Sequence, residues 1–163
     1  MMIRPGKAAD AHKLALLMQE GYERSVYRGL GEIDMKEARA LFVRCVQGMG
    51  KKAAGGTMLA VAETPDGEIE GFIAGQVAPV YHVGTRLAAS EIYWYVSPRA
   101  PAAAGLALLD TFIGWAERNP DVVVIKCGAT DVIEDVVWKD VGKLYARRGL
   151  KLCGGIYERR IAR

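Results

Sequence analysis

Ser90-Glu91-Ile92-Tyr93-Trp94-Tyr95-Val96-Ser97-Pro98-Arg99-Ala100-Pro101-Ala102-Ala103-Ala104-Gly105 joins a β-prone run to the start of an alanine-rich apolar helix. Within Ser90 to Ser97, Ile92, Trp94 and Val96 alternate with Glu91, Tyr93 and Tyr95, which predicts a strand with the two sets on opposite faces. Two prolines break the chain, and an apolar helix runs from about Pro101 to Arg118, stopped by Asn119-Pro120. A helix start that follows a strand offers free N–H groups and the positive end of a dipole, and small side chains let an anion reach them. The same residues also suit an ordinary helix, so cradle and plain helix both stand at this point.

Upstream, Met1 to Arg4 suits an edge strand stopped by Pro5-Gly6. Asp10 opens a helix with Leu14, Leu17, Met18 and Tyr22 on one face, and the pattern fades near Arg28-Gly29. Asp34 caps a second helix with Ala38, Leu41, Phe42 and Cys45 as its apolar stripe, ended by Gly48-Met49-Gly50. Met58 to Glu63 and Ile69 to Val77 flank Thr64-Pro65-Asp66-Gly67 and read as an antiparallel hairpin, followed by a loop from Tyr81 to Leu87.

Downstream, Val122 to Ile125 is a continuous apolar run of the kind a strand buried on both faces needs. The acidic segment Asp131 to Asp135 precedes a helix from about Val136 to Arg148, with Gly149 in the C′ position. Leu150 to Ile161, interrupted by Gly154-Gly155, reads as one bent strand or a short hairpin. No repeat or linker divides the chain, so residues 1–163 are expected to form one α+β domain.

Composition narrows the function classes. The 163 residues are 51% hydrophobic and 25% charged, as in an ordinary globular domain. The formal net charge of +3 leaves no basic footprint for nucleic acid. Cys45, Cys127 and Cys153 are far apart and have no CxxC or histidine pairing, so neither a disulfide framework nor a metal site is expected. Met1 to Lys7 lacks an apolar signal region and no apolar run reaches 18 residues, which points to a cytoplasmic protein off the membrane.

The element order, Tyr95-Val96-Ser97-Pro98 before a small-residue helix start, and Leu144-Tyr145-Ala146-Arg147-Arg148-Gly149-Leu150 near the end resemble the GNAT superfamily of acyl-CoA-dependent N-acetyltransferases. Ile156-Tyr157-Glu158-Arg159-Arg160-Ile161 is similar to that superfamily's last strand. The strand Glu91 to Pro98 has a looser likeness to short GNAT-like proteins of phage and prophage genomes. The resemblance implies a central, mixed, mostly antiparallel sheet of six to seven strands flanked by four helices.

It also implies acetyl-CoA as co-substrate, bound by Tyr95, by Val96 through its backbone, and at the turn Ala102-Ala103-Ala104-Gly105. Gly105 keeps the last position of the family's Arg/Gln-x-x-Gly-x-Gly/Ala turn, Ala103 replaces the first glycine, and Ala100 stands where Arg or Gln is usual. Arg99 is the cation nearest to compensate.

Transfer of an acetyl group to an amine calls for a general base and a general acid. Glu91 matches a position where some family members place a catalytic glutamate; its other reading is a solvent-facing strand residue. Tyr145 matches the family's acid, a phenol near the thioester sulfur; its other reading is a core aromatic on the face of Val141 and Leu144. Trp138 stands where an asparagine contacting the pantetheine arm is common. His82, with Tyr81 and Arg86, and the cluster Tyr22, Tyr27 and Arg28 are candidates to border an acceptor groove, while His12 reads as a surface residue.

The expected activity is therefore N-acetylation of a primary amine, on a small molecule or a protein, with a homodimer left open. The competing class is a GNAT-fold binding module without catalysis, for which the departures at Ala100, Ala103 and Trp138 speak.

Overall fold

The computed structural model describes residues 1–130, 132–133 and 136–159. β1 (Met2–Pro5) leads through a single 3-10 turn to α1 (Ala11–Glu23) and α2 (Met35–Gly48). β2 (Thr57–Glu63), β3 (Ile69–Pro79) and β4 (Leu87–Val96) follow, then α3 (Ala102–Glu117), β5 (Val122–Lys126) and α4 (Trp138–Ala146). The strands form one sheet in the order β1-β2-β3-β4-β5, antiparallel except for the parallel β4–β5 pair.

Local chemistry explains the element ends. Asp34 Oδ1 accepts from the N–H groups of Lys36 at 2.8 Å and Glu37 at 3.1 Å, which caps α2. The β2–β3 turn closes with Gly67 at φ +82°, a backbone conformation that favours glycine. Gly149 follows α4 at φ +80° and the Leu150 N–H reaches back to the Tyr145 carbonyl at 3.1 Å.

Strand alternation then divides the core into two layers. Leu59, Val61 and Phe72 meet Leu14, Leu17, Met18 and Phe42 of α1 and α2. Met58, Ala60, Ile73, Val77 and Ala89 meet Leu108, Phe112 and Ala116 of α3. Each Leu or Phe removed from water in this way contributes about 1.5–3 kcal/mol. Small residues set the spacing: a Cβ on Gly75 would stand 2.5 Å from Phe112 Cε2, so α3 lies directly on the β3 backbone.

Three expectations are corrected. The sheet has five strands among the described residues, not six to seven, because residues 150–159 join no ladder. Adjacent glycines at 154 and 155 weaken that run as a strand, and Leu152, Ile156 and Tyr157 stand exposed. Ile161 lies outside the described residues, as do Asp131, Glu134 and Asp135 of the acidic segment. Second, β5 is not buried on both faces: it is an edge strand, with Val123 53% and Val124 38% exposed. Third, Ile92 does not share a face with Trp94 and Val96, for a reason that shapes the site. No helix among the described residues is long and apolar enough to cross a membrane.

Candidate active site

β5 accompanies β4 only from Leu87, opposite Val122, to Ser90, opposite Lys126. β5 ends at that pair, so no β5 residue pairs with the β4 stretch from Glu91 to Val96 and that edge of β4 carries no β5 ladder, a gap in the pairing. Glu91 and Tyr145 meet beside this gap from two elements. Glu91 Oε2 accepts from the Gly128 N–H at 3.2 Å, and the Tyr145 hydroxyl donates to the Gly128 carbonyl at 2.7 Å.

A β-bulge places Glu91 there. Ala74 of β3 lies opposite Tyr93 and Gly75 lies opposite Glu91, leaving Ile92 without a partner. Ile92 and Tyr93 consequently both pack on the α1–α2 core, with the Tyr93 ring stacked on Phe72 at 5.6 Å between centroids. Strict alternation puts Glu91 with Tyr93 and Tyr95; the extra residue instead sends its carboxylate toward the end of β5, beside Cys127 and Tyr145.

The electrostatics follow from burial. Burial pushes the Glu91 carboxyl above its ordinary value, and the Gly128 N–H offsets part of that. Burial, then the charge of Glu91, push the Cys127 thiol up to about 12, so it stays a thiol at neutral pH. Burial raises the Tyr145 hydroxyl as well, reinforced by Glu91 and then Cys127. Tyr145 is therefore a protonated phenol throughout the working range, suited to give a proton. The raised proton affinity of the Glu91 carboxyl suits it to take one.

α3 begins beside the same gap. Its N-cap is Pro101 and no side chain caps it, while Ala102 and Ala103 are exposed. Gly105 and Ala104 are buried, and a Cβ on Gly105 would stand 3.4 Å from Trp94 Cζ2 and 3.5 Å from Val96 Cγ2. The open part of the turn is thus Ala102-Ala103, with Gly105 allowing the helix to lie close on β4. The Trp94 ring meets this helix and also neighbours Tyr145, 6.1 Å from the tyrosine ring.

No protein-family model matches the chain and no curated protein matches it. Solved structures do. A ribosomal-protein-alanine N-acetyltransferase from Brucella melitensis biovar Abortus 2308 is 21% identical with a TM-score of 0.65, covering 99% of this chain and 100% of that one. An acetyltransferase from Trypanosoma brucei is 13% identical with a TM-score of 0.68 over 98% of this chain and 99% of its own. A transcriptional regulator from Bacillus halodurans C-125 is 17% identical with a TM-score of 0.68, over 98% and 99%.

The fold is that of the GNAT acetyltransferases.

Within this GNAT fold the remaining candidates separate. The Tyr95 side chain faces the opposite layer from α3, where its hydroxyl donates to Glu20 Oε1 at 2.9 Å and accepts from Arg24 Nη1 at 3.3 Å. Only the Tyr95 backbone, with that of Val96, borders the gap. Arg99 does not reach toward α3, because Glu20 and Glu70 hold its guanidinium at 2.8 and 2.9 Å. His82 and Arg86 belong to the β3–β4 connection at the far end of β4, where Arg86 donates to the Pro120 carbonyl at 2.7 Å. They do not border the gap. His12 is exposed on α1.

Tyr22 organises a loop rather than a catalytic group: its hydroxyl donates to the Gly31 carbonyl at 2.7 Å and accepts from the N–H groups of Gly29 and Gly31. It lines a pocket of about 270 Å³ with Gln19, Glu23, Gly31, Glu32 and Ile33. The Tyr27 hydroxyl donates to Glu158 Oε2 at 2.6 Å. Gly128 was not a sequence candidate, and a lone glycine after a strand gives no signal of a residue bonded on both its polar groups. Trp94 was read only as one face of a strand. Among the described residues no group of three His, Cys, Asp or Glu side chains is arranged to hold a metal ion.

Proposed function

We propose that the protein is an N-acetyltransferase that moves an acetyl group from acetyl-CoA to a primary amine. The observation that carries this reading is the end of β5 at Lys126, which leaves the β4 edge from Glu91 to Val96 without a β5 partner, with Glu91 and Tyr145 brought together on the Gly128 backbone beside it. Two features fit the co-substrate. The uncapped α3 start, open at Ala102 and Ala103, suits a diphosphate. The unpaired β4 edge at Tyr95 and Val96 suits the amides of a pantetheine arm.

Acetyl-CoA supplies an activated thioester carbonyl when bound. Glu91 takes a proton from the acceptor ammonium, directly or through a water, leaving a neutral amine to form the new C–N bond. The nitrogen of the tetrahedral adduct sheds its second proton to solvent, the C–S bond breaks as Tyr145 gives its proton to the sulfur, and Tyr145 recovers a proton from solvent while Glu91 releases the one it took. Rotation about the tyrosine C–O bond re-aims the phenol proton from the Gly128 carbonyl. The Brucella protein of the same fold acts on an alanine of a ribosomal protein, so protein N-termini belong among the acceptors to screen. The likeness to phage-type members rests on Glu91 to Pro98 alone.

The second reading, a binding module without catalysis, is favoured by Pro101 at the α3 N-cap, which brings no N–H to the turn. Release of CoA thiol from acetyl-CoA, followed with a panel of primary amines that includes lysine side chains and peptide N-termini, separates the two. Amine-dependent thiol release supports the transferase; its absence across the panel, with acetyl-CoA still bound, supports the binding module.

A further inference from the structure

Trp94 is held where three elements converge. It extends from β4 toward α3, with Cζ2 3.4 Å from where a Cβ on Gly105 would stand, and its ring is tilted 36° to that of Tyr145 at 6.1 Å. Its Nε1 is buried, and it has no hydrogen-bond partner among the described residues. Buried N–H groups in folded proteins nearly always find an acceptor, and an orphan beside the candidate site is a donor that an acceptor from a ligand can satisfy.

The position of the orphan decides which part of a ligand arrives. The Trp94 ring touches the first turn of α3, whose exposed Ala102-Ala103 end suits a diphosphate, and neighbours Tyr145, whose hydroxyl suits the sulfur. The portion of an acyl-CoA between diphosphate and sulfur is the pantetheine arm, which carries two amide carbonyls. We propose that the Trp94 indole N–H donates a hydrogen bond to an amide carbonyl of that arm and so positions the thioester against Tyr145. The proposal rests on the acyl-CoA reading above and adds a residue to it.

A donor fixed on a central strand, with its ring braced by a helix, fixes the arm along its length as well as at its diphosphate end. Trp94 is in these terms a positioning residue. It leaves both proton transfers to Glu91 and Tyr145.

The three tryptophans give three indole N–H resonances in the ¹⁵N-labelled full chain, assigned from Trp115→Phe and Trp138→Phe with Trp94 by elimination. Acetyl-pantetheine and acetyl-CoA at millimolar concentration are expected to move the Trp94 resonance downfield and slow its exchange with solvent, while 3′,5′-ADP leaves it in place. Calorimetry of Trp94→Phe is expected to show acetyl-CoA affinity about tenfold weaker with no fall in melting temperature, because the variant keeps an aromatic ring and removes an unpaired donor. A Trp94 resonance indifferent to acetyl-CoA while the wild type binds it overturns this proposal alone. Unchanged affinity in a folded Trp94→Phe does the same. A wild type that binds no acetyl-CoA overturns this proposal and the acyl-CoA reading together.

Discussion

Glu91 and Tyr145 are coupled through one residue: the carboxylate accepts the Gly128 N–H at 3.2 Å and the phenol donates to the Gly128 carbonyl at 2.7 Å. They come from β4 and α4, more than 50 residues apart in the chain. Their protonation is linked as well, because the charge on Glu91 makes the neighbouring phenol harder to ionise.

Glu91→Gln separates the roles of that carboxylate. Burial raises its folded-state proton affinity above the unfolded value, so the native state binds the proton more tightly. The stability contributed by this group is then fullest in acid and falls as pH rises through the range just above ordinary glutamate titration. In Glu91→Gln this fall is absent from melting temperatures measured between pH 4 and 8. Turnover falls most at low pH, where amine deprotonation most needs help. Retention of the wild-type pH–rate profile removes Glu91 as the base.

Tyr145→Phe keeps the ring and its contact with Trp94 and loses the bond to Gly128. Denaturant melts are expected to show a loss of about 1 kcal/mol. Turnover is expected to fall by about 10²-fold with acetyl-CoA affinity nearly unchanged. A pure core role gives the opposite pattern, with normal turnover beside the same stability loss.

Gly75, at the bulge, lies directly against the Phe112 ring. Gly75→Ala drives a methyl against the Phe112 ring, at a cost of about 1–3 kcal/mol. Adding Phe112→Leu relieves the clash, so the double variant loses less than the sum of the two single losses in urea melts. Additive losses show that the methyl is accommodated elsewhere.

Arg4 ties three segments together. Its guanidinium meets Asp10 at 2.8 and 3.1 Å and Glu63 at 2.8 and 2.7 Å, with little exposure on any partner. Asp10 remains below its ordinary value although burial, the largest influence, opposes that; bonds from Arg4 and the Lys7 N–H prevail. The linked stability is present above the unfolded carboxylate range and is lost as pH falls through the folded value. Arg4→Ala is expected to cost about 2 kcal/mol near pH 7 and less toward pH 3, read from denaturant midpoints.

What the sequence discloses and what it conceals divide by range. Asp34 and Gly67 are legible because a cap and a turn are decided within a few residues. The face of Glu91 is not legible, because the bulge at Ile92 is a matter of register against β3, far away in the chain. Val122 to Ile125 reads as a doubly buried strand, yet its exposure is set by what covers its two faces, which its own residues do not encode. Arg99 looks available in sequence and is held by Glu20 of α1 and Glu70 of β3.

The central claim is that an acyl-CoA sits in the β4–β5 gap with its diphosphate on the open turn of α3. Calorimetric titration of acetyl-CoA into the wild type and Ala102→Glu tests it most directly. Residue 102 is exposed at the first position of α3, where a carboxylate favours the helix, so this variant is expected to fold at least as stably as the wild type. The account predicts saturable binding to the wild type and its loss or at least tenfold weakening in Ala102→Glu. No heat with the wild type at millimolar acetyl-CoA, or equal affinity in the two proteins, contradicts it.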